Sequence, residues 1–217
     1  MAILVLGLLA PLANAASLGA HDPPRVTANA FTSVNAGVFL ALLLGVLGTT
    51  GPARLPAGVG PSYRRAIGAK ARAYGLVGAG SVLLLAGLAA AVALPIIHAR
   101  GVASPSSPVV AEYIQREAVA GTRLALLGVA IGIVAVGRWR AIIGLVGFLV
   151  VEAIAEAYIP FVKNYGPIGA LNAFSDPSHH HQLSVGAGAA IALAWAVLAL
   201  VVAAVIGESR HDRGSVG

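Results

Sequence analysis

Cysteine is absent from this 217-residue chain, and charged residues make up only 10% of it. The first absence removes disulfides, thiolate metal sites, iron–sulfur ligation and thiol nucleophiles together, so any metal must be held by His, carboxylate or Met ligands. The second is incompatible with a fully wetted surface, since a soluble domain carries roughly 25% charged residues. Catalytic signatures are lacking as well: there is no phosphate-cradling glycine loop, no nucleophile elbow and no HExxH pair. The formal charge of +6 and pI near 10.3 invite a nucleic-acid reading. No nucleic-acid-binding motif accompanies them, however, and the basic residues gather beside apolar stretches, where anionic lipid headgroups are the simpler partner.

Apolar sequence takes the place of what is missing. Hydrophobic residues reach 58% and the mean hydropathy is +0.88. Five stretches are long enough, or nearly so, to cross a bilayer: Phe31 to Thr50, Tyr74 to Ile97, Thr122 to Gly137, Ala141 to Phe161 and Leu183 to Ile206. The expected fold is an all-α, polytopic membrane helical bundle of five transmembrane helices occupying 31–207, with a short apolar segment before it. That segment, Met1–Ala15, ends in Leu12-Ala13-Asn14-Ala15, a small-residue pattern like a signal peptidase site, but it lacks a basic leader. A signal peptide and a short N-terminal helix both remain open. Residues 16–30 form an extracytoplasmic linker, stiffened by Pro23 and Pro24, and 208–217 form a cytoplasmic tail.

Helix ends are marked by local chemistry. The second helix is expected to start near Ser62, placing Arg64, Arg65, Lys70 and Arg72 on a basic interfacial turn. The third span is short for the roughly 20 residues a crossing needs, but Ser107-Pro108 makes a good helix start, and Glu112 with Arg116 forms an i,i+4 pair of favourable order. Asp176-Pro177 is expected to open the fifth helix as cap and first turn. Nine basic residues lie between spans one and two, between three and four, and after five; the other five of the 14 lie on the opposite side. The positive-inside rule then puts the C-terminus in the cytoplasm and the linker outside. Small residues are frequent, with a GxxxG at Gly128 and Gly132 and glycines 75, 78, 80 and 87 along span two. They suit close helix packing, within this bundle or against another subunit.

Polar chemistry is expected to collect at the outer side. Glu152 and Glu156 share one face of span four, with Glu152 about 17 Å from Ala141 along the helix. Carboxylates at that depth are costly unless paired, hydrated or protonated, which marks them as functional unless a neighbouring helix or Arg123 satisfies them. His98 ends span two, and Asp176, His179, His180 and His181 precede span five; His21 and Asp22 lie before span one. Three adjacent histidines on a helix diverge by about 100° per residue, so they cannot all face one ion, and a hydrated cap is the plainer use of them. As ligands, His179, His180, His181, Asp176 and Glu156 suit Cu, Zn or Fe. His98 with His180 would suit haem b, although the paired histidines at matched depth of a transmembrane cytochrome are missing. These features describe an accessory subunit of a membrane complex, respiratory or metal-dependent, embedded in the lipid bilayer with other membrane subunits and without nucleic acid. A small ion- or proton-coupled transporter or channel using Glu152 and Glu156, and an intramembrane metalloenzyme, are the alternatives.

Overall fold

Seven helices make up the regular structure of the described residues. The computed structural model describes residues 34–50, 60–99, 101, 107–135, 137–175 and 183–214. Its helices are α1 (Val34–Thr49), α2 (Gly60–Ala99), α3 (Ser107–Val134), α4 (Arg138–Tyr158), α5 (Pro160–Tyr165), α6 (Pro167–Ser175) and α7 (Val185–Gly214), with no strand among the described residues. By length and composition four of them, α2, α3, α4 and α7, are able to cross a membrane, while α1 contributes a shorter apolar stretch, Phe39–Thr49. The described residues are thus all-helical, with four helices long and apolar enough to cross a membrane, which suggests a multi-pass membrane protein, and with α1 shorter than the crossing expected from Phe31 to Thr50.

α1, α2 and α3 form the tight part of the bundle, and glycine is the reason. A Cβ built on Gly45 would lie 2.2 Å from the Ala125 carbonyl oxygen, and one on Gly128 would lie 2.2 Å from the Leu42 oxygen. The two backbones therefore touch in both directions, with α1 and α3 running parallel. Gly78 and Gly121 bring α2 against α3 in the same reciprocal way, at 2.7 and 3.0 Å from each other's carbonyl oxygens. In lipid, where burying apolar surface gains little, such close packing supplies the association energy. The Gly128/Gly132 motif is used inside this bundle, since Gly132 receives the buried Thr49 hydroxyl of α1. That hydroxyl donates to the Gly45 and Val46 carbonyls at 2.8 and 3.1 Å, so it costs nothing to bury. Gly80 and Gly87 meet no neighbour.

α2 has 40 residues, about 60 Å at 1.5 Å per residue, and so outruns a bilayer of ~30 Å hydrocarbon thickness. Its first turns carry the expected basic residues. Its last ones continue beyond the span through Pro95 without a break, packing Ala93 and Ile97 against Val110 of α3. Beyond that contact Arg116 donates to Glu112 as the sequence spacing requires.

α4 and α7 are covered far less. In the most apolar window of α3, 56% of the residues are buried, against 17% in α4 and in α7. Two boundaries differ from the sequence expectation. Span four does not run on to Phe161: α4 stops at Tyr158 and Ile159 is extended, because Pro160 has no N–H to continue the ladder and biases its predecessor away from the helical region. The fifth spanning helix is not opened by Asp176-Pro177: Leu183 and Ser184 are non-helical, and Ser184 Oγ caps α7 by accepting from the Ala187 N–H at 3.3 Å.

Candidate functional site: a helix break beside two glutamates

The segment after α4 is the part of the fold that hydropathy does not suggest. Six residues separate Glu152 from the end of α4, about 9 Å, and α5 is six residues long. α5 doubles back along α4 over that distance and stops at Gly166, where a Cβ would lie 2.6 Å from Glu152 Oε1. There the chain breaks and α6 begins at Pro167. Gly169 allows the sharp fold between the two short helices, since a Cβ on it would lie 2.1 Å from the Lys163 carbonyl oxygen. On the far side, Tyr165 meets Trp195, ten residues into α7 and so about 15 Å from that helix's start. The break therefore lies well inside the length of two spanning helices.

Irregular backbone at such depth persists only where its polar groups are satisfied by protein. The partners can be named in turn. Tyr165 carbonyl accepts from the Trp195 indole N–H at 2.7 Å. Gly166 N–H donates to the Val162 carbonyl at 2.8 Å, and its own carbonyl accepts from Ala170 N–H at 2.9 Å. Pro167 has no N–H to satisfy. Ile168 N–H, in the first turn of α6, donates to Glu152 Oε1 at 3.1 Å. Glu152, only 7% exposed, is thus the side-chain cap of a helix supplied by another helix, and a carboxylate at a helix N-terminus is favoured by the dipole as well as by the hydrogen bond. Ala170 and Leu171 then carry α6 into the main core alongside Leu145 of α4 and Ala192 of α7.

Glu156, one helical turn further along α4, has a different environment. It lines an open groove of about 660 Å³ with Ala153, Ala157 and Tyr158 of α4 and Pro160, Lys163 and Asn164 at and within α5. Its Oε1 is buried with no hydrogen-bond partner, and the charges that act on it are those of Glu152 and Lys163. Arg123, a candidate partner by sequence, is not among them. The two glutamates are therefore brought together as expected, but they divide their roles: one is consumed by the fold and the other faces the groove.

His98 sits exposed in the last turn of α2. Asp176, His179, His180 and His181 lie outside the described residues, as do His21 and Asp22. No group of three or more His, Cys, Asp or Glu able to hold a metal occurs among the described residues, so the Cu, Zn, Fe and haem b expectations turn on the 176–182 segment. Sequence reasoning missed the α5–α6 break, Trp195, Lys163 as a groove residue, and Glu117, a buried carboxylate on α3. The signals are Pro160 and Pro167, seven residues apart with Gly166 between them. Comparison with family models, with curated proteins and with solved structures finds no match to this chain.

Proposed function

We propose that this protein is an accessory subunit of a membrane assembly, with α4 as the helix that meets a partner. The observation that carries this is the contrast in coverage between α3 and α4. Membrane helices are held by packing rather than by exclusion from water, and α4 packs little against its own bundle while being pinned at one point by the Glu152–Ile168 hydrogen bond. Its open side carries Gly144 and Gly147, and a Cβ on Gly147 would meet nothing, so a second helix is able to approach its backbone closely. Extraction of native membranes with a mild detergent should recover the protein in a complex. Gly147→Leu should release the partner while leaving the monomer folded; a monomeric wild type indifferent to that change would end this reading. A respiratory or metal-dependent role for the assembly is tested by elemental analysis of the same complex for Cu, Zn and Fe, with and without His179, His180 and His181.

A cation or proton path is the second reading, favoured by the unpartnered oxygen of Glu156. It ranks lower because α4 offers only apolar residues and glycine between Ala141 and Val151, so that helix supplies no polar step beyond Glu152. Reconstituted vesicles decide it: proton-linked flux abolished by Glu156→Gln supports a path, and flux absent or unchanged dismisses one.

A further inference from the structure

The groove between α4 and α5 sets Lys163 beside Glu156, a pairing of charges that the subunit role does not use. Glu156 and Lys163 bear opposite charges and line the same opening, yet no ion pair closes between them among the described residues. Glu156 accepts no hydrogen bond, and its Oε1 is shielded from water without a donor. An acceptor left in that state loses its hydration without return. Glu156 itself lines the groove beside Lys163, so this carboxyl group stands at the opening with no protein donor on Oε1.

The groove lies where α4 ends, beside Tyr158 and Phe161, which are 81% and 65% exposed, and aromatic residues of this kind settle at the headgroup level. Below it the uncovered face of α4 presents Val150, Val151 and Ile154, a surface for acyl chains. Ala153 and Ala157 keep the floor low. A volume of about 660 Å³ falls within the ~300–1,000 Å³ of small-molecule sites.

We propose that this groove seats the headgroup of phosphatidylethanolamine, with Lys163 taking the phosphate and Glu156 the primary ammonium. A zwitterion satisfies both charges at once, and a primary ammonium answers the bare acceptor of Glu156 with N–H donors and opposite charge together. Choline, fully methylated on nitrogen, offers none, and a purely anionic headgroup leaves the carboxylate facing like charge. The inference stands apart from the proposed subunit role, because a lipid site is measured on the purified protein whether or not a partner is found.

Native mass spectrometry of the full-length protein in detergent provides the test, titrating phosphatidylethanolamine, its N-monomethyl and N,N-dimethyl forms, phosphatidylcholine and free phosphoethanolamine. The monomethyl and dimethyl forms keep an N–H donor and should bind nearly as well as phosphatidylethanolamine, whereas phosphatidylcholine should bind about tenfold more weakly, the loss expected when a charge-assisted hydrogen bond is removed. Glu156→Gln should flatten the series, whereas Lys163→Gln should weaken binding of every phospholipid in it. Equal affinity for phosphatidylethanolamine and phosphatidylcholine in the wild type overturns the proposal without any variant being needed. So does a folded Glu156→Gln protein that keeps the full preference. Free phosphoethanolamine binding as tightly as the lipid would also overturn it, moving the ligand from the bilayer to solution.

Discussion

The two halves of this bundle are held together by different physics. In α1, α2 and α3 the backbones touch, with glycine facing carbonyl in reciprocal pairs, and attraction is spread over many short contacts. α4 and α7 are thinly covered, and directed hydrogen bonds tie them to the short helices between them: Ile168 N–H to Glu152 and the Trp195 indole N–H to the Tyr165 carbonyl. The lesson is that close packing resists change in volume, whereas a polar clasp resists loss of one particular atom. The half that tolerates bulk on its surface is therefore also the half that a single polar deletion loosens.

Substitutions that add volume should separate the halves most strongly. Gly128→Leu places a side chain where even a Cβ lies 2.2 Å from the Leu42 oxygen, and it should cost about 3 kcal/mol or more, seen as loss of folded protein on thermal denaturation in detergent. Gly147→Ala, on the open face of α4, should stay within about 0.5 kcal/mol of wild type. Similar costs at the two positions would erase the distinction. Loss of the cap comes next: Glu152→Ala leaves the Ile168 N–H unsatisfied and should cost about 1–3 kcal/mol. It should raise amide hydrogen exchange in α6 first, with α1 and α3 protected as before. Glu152→Gln keeps an acceptor oxygen and should lose less.

Trp195→Phe removes the donor to Tyr165 and keeps an aromatic ring, so a loss of about 1 kcal/mol is expected, with faster proteolysis between α5 and α6 as its local sign. An unchanged proteolytic pattern would show that the break does not depend on that contact. The smallest effect belongs to the extension of α2 and α3 beyond the membrane. Glu112→Gln breaks an i,i+4 pair with Arg116 in which Glu112 is largely exposed, and about 0.3–0.5 kcal/mol is the expected cost, reduced further by salt.

How legible these features were depends on whether they were local. The basic first turns of α2, the Ser107-Pro108 start of α3 and the Glu112–Arg116 pair each follow from neighbours a few residues apart, and each is found. The glycines of α3 were visible as a motif, but whether Gly128 faces a subunit or α1 is a question about a residue more than eighty positions away. Glu152 drew attention because a carboxylate inside an apolar run is expensive, and that argument holds. Its answer, an N–H sixteen residues on, requires the chain to reverse at Ile159 and break at Gly166. No pattern in hydropathy encodes that reversal, since α5 is only six residues long and α6 is apolar like the spans around it. Span four was accordingly drawn three residues too long.

Composition and the lengths of its apolar runs alone determined that this chain forms helices long and apolar enough to cross a membrane and lacks thiol chemistry, because those properties depend on how many residues of each type occur and how they are spaced. Only the tertiary structure decided which glycines touch, which glutamate became a helix cap and which was left facing Lys163. Those outcomes depend on contacts between distant segments, and two carboxylates one turn apart on the same helix are alike until the neighbours that reach each of them are fixed.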